Sequence, residues 1–253
     1  MRITMLGVGS SGGTPAIGCQ CETCASSDPR NKRTRCSSLI TLDNGKNILI
    51  DTGPDLRQQV LREGVLNVDA VLYTHTHADH LNGIDDLRAF CVLQKSHIPL
   101  YGSPSSIKHI TEKFSYAFRE ANLSWELPVL KANAFESNVE VLTEQITPIP
   151  LKHGNMDIYG YRIRNFAYLT DVSVIPESSF ALLEELDILF LDCLRTKPHF
   201  THIHLEQSLA YASQIKAKRT YLIHMTHELE YEALSKQLPV NVFVGYDGLS
   251  IEL

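Results

Sequence analysis

Residues 73–83 read YTHTHADHLNG and directly follow the apolar run AVL at 70–72. An apolar strand therefore runs straight into three histidines and an acid: His75, His77, Asp79 and His80. The pattern H-x-H-x-D-H arises from composition alone in roughly one chain per thousand of this kind. In an extended or turning segment His75 and His77 face one side. Asp79 and His80 open the next helix and reach a second point. Four nitrogen and oxygen donors in six residues suit two metal ions a few ångströms apart. The competing reading is a histidine-rich surface loop. Against it, the C-terminal end of a strand is where the sites of α/β proteins lie.

Two ions need more than four donors, and other strand ends offer them. His153 ends "IPLKH", Asp171 ends "YLTD" and His224 ends "YLIH". A strand-end histidine alone is more often structural. Together these three add two imidazoles and a carboxylate able to bridge both ions. Asp51 in "ILIDTG" is a further strand-end acid, suited to orienting a histidine ligand from behind.

The 253 residues are 43% hydrophobic and 21% charged, as in a soluble globular protein able to bury its own core. A net charge of -6 disfavours a dedicated binder of long DNA or RNA. A small phosphorylated substrate needs only a local positive site and stays open. The start, "MRITMLGVGSSGG", is too short an apolar run for a signal peptide, and no apolar run approaches a membrane span. The expected compartment is the cytoplasm, where thiols stay reduced.

Working outward, residues 1–8 predict a strand. "SSLITLDNGKNILIDTG" predicts a hairpin around DNG, and "HLNGIDDLRAFCVLQ" has helical spacing. "PLYGS" predicts a short strand, residues 105–121 a serine-capped helix, and 135–151 one or two strands. "DIYGYRIRNFAYLTD" predicts two more strands, and "IPESSFALLEEL" a helix with proline in its first turn. "DILFLDC" predicts a buried strand, and the helix "HLEQSLAYASQIKA" leads to the strand "RTYLIHM". A short helix, "HELEYEALSKQL", precedes a closing hairpin around YDG in "VNVFVGYDGLSIEL". Hairpins early and helices between later strands imply an α/β chain of two mixed sheets face to face with helices outside, in one domain over 1–253.

A second concentration of donors lies in "GCQCETC", residues 18–24: Cys19, Cys21 and Cys24. Three thiols cannot pair off among themselves. As metal ligands they need a fourth partner from elsewhere; the plain alternative is three buried thiols. Cys36, Cys91 and Cys193 share no such spacing and read as buried or inert. "GVGSSGG" contains G-x-G-x-x-G after a strand, but Pro15, Gly18 and the cysteines follow where a dinucleotide-binding helix should start. Arg33 and Arg35 in "RNKRTR" either reach a substrate phosphate or form a solvated basic loop.

With THTHADH, His153, Asp171 and His224 in this order, nearly the whole chain resembles the metallo-β-lactamase superfamily. The resemblance implies a four-layer αββα sandwich with a dinuclear centre at one edge. It implies that His75, His77 and His153 hold one metal, that Asp79, His80 and His224 hold the other, and that Asp171 bridges. Redox members with a di-iron site carry a carboxylate where His77 stands, so this chain resembles the hydrolases. The CxCx2C cluster beside the glycine-rich loop is similar to the PhnP subfamily of cyclic phosphodiesterases. That likeness implies a separate structural zinc held by Cys19, Cys21, Cys24 and His227, and also a homodimer. A Cys3His set leaves no water position, as in structural zinc sites. The subfamily's general acid, in an H-x-D-L setting, maps to His202 in "HIHL". The subfamily's aspartate maps to His204, so the acid is His202 or His204.

The expected activity is hydrolysis of small cyclic phosphates such as ribose 1,2-cyclic phosphate or 2′,3′-cyclic nucleotides. The expected cofactors are two divalent ions, manganese, zinc or iron, that lower the pKa of a shared water and supply hydroxide. The rivals are transfer-RNA 3′-processing, whose enzymes carry a basic glycine/proline-rich arm not visible here, and thioester or lactone hydrolysis.

Overall fold

A computed structural model describes residues 1–119 and 130–253. The first half contains β1 (Arg2–Gly7), α1 (Glu22–Ala25), β2 (Ser37–Thr41), β3 (Asn47–Ile50), α2 (Leu56–Arg62), β4 (Ala70–Leu72), α3 (Ala78–Leu81), α4 (Leu87–Gln94), β5 (Ile98–Gly102), α5 (Pro104–Lys113) and β6 (Leu130–Ala134). The second contains β7 (Val139–Val141), β8 (Glu144–His153), β9 (Met156–Ile163), β10 (Phe166–Leu169), β11 (Ile188–Asp192), α6 (Leu205–Ile215), β12 (Arg219–Ile223), α7 (Tyr231–Ser235), β13 (Val242–Val244) and β14 (Ser250–Glu252).

Among the described residues these strands form two seven-stranded sheets, ordered β14-β1-β2-β3-β4-β5-β6 and β13-β12-β11-β10-β9-β8-β7. Each sheet is antiparallel where hairpins build it and parallel where helices cross over. Alternation along the strands of the first sheet divides its residues between two cores. Ile3, Met5, Ile40, Ile48, Ile50 and Leu72 face the second sheet. Leu6, Leu39, Leu49 and Val71 face outward, under Leu56, Val60, Leu87 and Phe90 of α2 and α4. Burying each such side chain contributes about 1.5–3 kcal/mol. This is the αββα sandwich expected from the sequence.

Three local expectations are corrected. The closing segment is not a hairpin: β13 pairs with β12 in one sheet and β14 with β1 in the other. YDG is the crossover between sheets, with Asp247 accepting from the Val8 and Thr34 backbone N–H groups at 3.0 and 2.8 Å. "IPESSFALLEEL" forms a 3-10 helix over Glu177–Leu183, not an α-helix. The helix expected over 105–121 starts earlier, capped by Ser103 accepting from the Ser106 N–H, and ends at Lys113, with a 3-10 turn at Ser115–Phe118. Residues 120 and 121 lie outside the described residues. Among the described residues no helix is long and apolar enough to cross a membrane.

Candidate metal centres and active site

The end of β4 and the start of α3 aim His75, His77, Asp79 and His80 at the exits of β8, β10 and β12, which carry His153, Asp171 and His224. Donor atoms of His75, His77, His153 and Asp171 gather in one group, and those of Asp79, His80, Asp171 and His224 in another. Asp171 belongs to both.

In the first group His75 Nε2 lies 3.1 Å from His77 Nδ1 and 3.8 Å from Asp171 Oδ1, and His153 Nε2 is 3.9 Å from that oxygen. In the second, His80 Nε2 is 3.2 Å from Asp79 Oδ2 and 3.1 Å from Asp171 Oδ2. His224 Nε2 is 3.7 Å from Asp79 Oδ2 and 3.3 Å from Asp171 Oδ1. Ligands bound at about 2.0–2.2 Å in a tetrahedron stand about 3.3–3.6 Å apart, so these spacings match the edges of coordination shells. His80 Nε2 and His224 Nε2 are buried and, among the described residues, have no hydrogen-bond partner. A buried polar atom without a partner is costly, and a cation between these nitrogens removes that cost. The residues fit two metal ions.

Protein groups hold the opposite ring nitrogens of His80 and His153. Asp51 accepts from the Thr74 N–H at 2.9 Å and the Thr74 hydroxyl at 2.8 Å, and its Oδ2 lies 2.8 Å from His80 Nδ1. The orienting role expected for Asp51 therefore has its geometry. The Thr201 carbonyl accepts from His153 Nδ1 at 2.8 Å, leaving Nε2 to the centre. Gly53, in the turn after Asp51, lies against the Asp79 carbonyl, and any Cβ there would collide with it. Burial pushes the His75 and His153 rings towards neutrality. Burial also works against the charged forms of Asp171 and His80, but they face one another and further partners. The His224, His80 and His75 rings hold Asp171 well below the usual carboxylate range, while Asp171, Asp51 and Asp79 hold His80 well above its ordinary value. Three exits carry a left-handed backbone on a non-glycine residue: Asp51, Asp171 and His224, at φ 61°, 58° and 58°.

His202 lies beside the second group. Its ring stacks on His224 with centroids 4.8 Å apart, and its Nε2 is 3.9 Å from Asp171 Oδ1. Its Nδ1 is 3.2 Å from Asp192 Oδ2, and Asp192 Oδ1 is 3.5 Å from His224 Nδ1. Asp192, fully buried at the end of β11, thus faces both rings, and the sequence reading missed it. The signal is in the sheet order: β11 lies between β10 and β12, and all three lead into an acid or a histidine. His204 is not brought into this group; it precedes α6 with Nδ1 2.7 Å from Gln207 Oε1.

The cysteine cluster forms elsewhere. Cys19, Cys21 and Cys24 meet His227, with Sγ atoms of Cys19 and Cys21 at 3.5 and 3.3 Å from His227 Nδ1. His227 and a backbone hydrogen bond at Cys24 draw the Cys21 thiol down to about 6, as suits a thiolate ligand. Burial instead raises the Cys24 thiol, and pushes those of Cys36 and Cys193 up to about 12. Arg33 is 1% exposed and donates to the carbonyls of Thr226 and Leu229 at 2.9 and 2.5 Å, so it braces the His227 segment instead of facing a substrate. Arg35 is paired with Asp55 at 3.1 Å.

A two-sheet sandwich with paired His/Asp donor sets at its strand ends defines the metallo-β-lactamase class of hydrolases. The family model described as a beta-lactamase superfamily domain matches residues 46–225. A solved structure of a diphosphatase from the PhnP family superposes with a TM-score of 0.93 at 41% identity, covering 100% of this chain and 97% of that one. The octanoyltransferase of Porphyromonas gingivalis is 39% identical over 98% of this chain, which spans only 51% of that protein's length. Zinc-bound PqqB from Methylobacterium extorquens shares the fold, with a TM-score of 0.82 at 21% identity over 100% of both chains. This chain belongs to the beta-lactamase superfamily and is similar to its PhnP branch.

Proposed function

We propose that this hydrolase is a phosphodiesterase of small cyclic phosphates, of the ribose 1,2-cyclic phosphate or 2′,3′-cyclic nucleotide type. The observation that carries the reading is His202, backed by Asp192 and held against the shared carboxylate Asp171. His75, His77 and His153 would hold one ion and Asp79, His80 and His224 the other, with Asp171 common to both. Bound there, two divalent ions supply Lewis acidity toward a phosphoryl oxygen and lower the pKa of the attacking water.

Opening a cyclic phosphate creates an alkoxide on the sugar, which needs a proton. Asp192 accepts from His202 Nδ1–H, so the second proton of the imidazolium sits on Nε2, facing the centre. Nε2 is then the atom that passes its proton to the leaving oxygen. The carboxylate that the subfamily carries at the position of His204 is replaced in this role by Asp192, reached through a neighbouring strand. The 41% identity to a PhnP-family diphosphatase supports chemistry at phosphorus over other reactions of the superfamily.

The octanoyltransferase relative favours a second reading, hydrolysis of an acyl thioester at the same centre. A turnover panel of ribose cyclic phosphate, 2′,3′-cyclic nucleotides, precursor transfer RNA and octanoyl thioester, run with manganese, zinc and iron, separates the readings. Turnover of a cyclic phosphate above all others is the expected result. Thioester turnover with inert cyclic phosphates would overturn the proposal.

A further inference from the structure

The loop between β11 and α6 carries an aromatic side chain to the rim of the centre. Phe200 is 73% exposed, although burying such a ring is worth about 1.5–3 kcal/mol. The loop around it is built. Arg195 donates to the carbonyls of Lys197 and Pro198 at 3.1 and 3.0 Å, and the Thr201 backbone N–H donates to His199 Nδ1 at 3.3 Å. Phe200 lies over Gly154, the residue after His153. A Cβ at Gly154 would stand 3.2 Å from Phe200 Cε1, and the φ of +57° there favours glycine as well. On the other side the His199 ring lies 5.5 Å from that of His202.

We infer that Phe200 and His199 form a recognition shelf for a nucleobase, which makes a base-bearing cyclic nucleotide the preferred substrate. The inference rests on the phosphodiesterase reading above. His202 protonates the sugar oxygen, so the sugar lies on the His202 side of the centre, and a base on that sugar extends towards this loop. A base needs a flat apolar face and a hydrogen-bond partner at its edge. Phe200 supplies the face. Because His199 Nδ1 accepts from the Thr201 N–H, the ring proton sits on Nε2, on the opposite side of the ring, and is a donor for the base edge. A sugar phosphate without a base uses neither group, and an acyl chain has no use for the donor.

The experiment compares kcat/KM for 2′,3′-cyclic AMP and for base-free ribose 2,3-cyclic phosphate in the native protein, Phe200→Ala, Phe200→Leu and His199→Ala. The native protein should favour the nucleotide. Phe200→Ala should lower the ratio of nucleotide to base-free turnover by about tenfold, the size of one lost stacking contact. Phe200→Leu keeps apolar bulk without a flat face and should lower the ratio nearly as far. His199→Ala should lower it several-fold. An unchanged ratio with both substrates turned over would overturn the shelf and leave the phosphodiesterase reading intact. A Phe200→Ala loss confined to octanoyl thioester would overturn the shelf in favour of an acyl site. Failure to turn over either cyclic phosphate would overturn both.

Discussion

The seven donors of the histidine-aspartate centre come from β4, α3 and the exits of three strands in the other sheet, and all but His77 and Asp79 are buried. The four donors of the cysteine cluster come from a loop and from the segment after His224, and only Cys24 among them is buried. The first set rests on a finished scaffold. Its strand exits hold three non-glycine residues at positive φ, at a cost of about 1–3 kcal/mol each, and no residue of the cysteine cluster is held so. The second set bridges pieces that no sheet joins directly, Cys21 and His227 being 206 residues apart in sequence. One cluster sits where the fold shapes its donors; the other joins segments that a metal ion would tie together.

Substitutions on the two sides should therefore fail in different ways. Asp171→Ala removes the carboxylate shared by both donor groups. Metal in the histidine-aspartate centre should be lost, and turnover should fall by more than about a thousandfold, while zinc at the cysteines persists. Elemental analysis and a rate assay check this, and retention of both central ions would break the contrast. His202→Ala should cost about 10²–10³-fold on cyclic phosphates with poor leaving groups and far less on activated aryl diesters. Equal losses on both would remove the proton-donor role. Asp192→Asn should cost about 10–100-fold, since it loosens His202 and His224 without removing either ring. Cys21→Ala should have the smallest effect on turnover at low temperature. It should release the zinc and lower stability by about 4 kcal/mol, by analogy with a crosslink closing a loop of a hundred residues or more. Thermal unfolding monitored with zinc content tests it; unchanged melting and unchanged zinc would leave the cysteines without a structural role.

Much of this was legible in the sequence because ligand geometry is partly local. His75 to His80 lie within one turn-and-helix start, and His153, Asp171 and His224 each follow an apolar run that declares a strand end. Asp192 was missed because "ILFLDCL" reads as an unbroken buried strand, and only the order of strands in the sheet reveals that its last residue faces the centre. The crossover at Asp247 was missed for a related reason. Short apolar runs on both sides of a D-G pair look alike whether they pair with one another or with different sheets. His202 and His204 differ by two residues and carry the same side chain. Only the stacking on His224 and the contact with Asp192 separate them.

The crossover at Asp247 also bears on the order in which the molecule assembles. β14 is hydrogen-bonded to β1, with Arg2 opposite Glu252 and Thr4 opposite Ser250. On a ribosome β1 emerges long before β14, so its outer edge waits until the strands between them have been made. Through that interval it presents free backbone groups, the template on which chains aggregate. Pairing across so long a separation is slow to close. Expression in the cell should thus depend on how well β1 is shielded during synthesis, a demand on the nascent chain that the finished fold no longer shows.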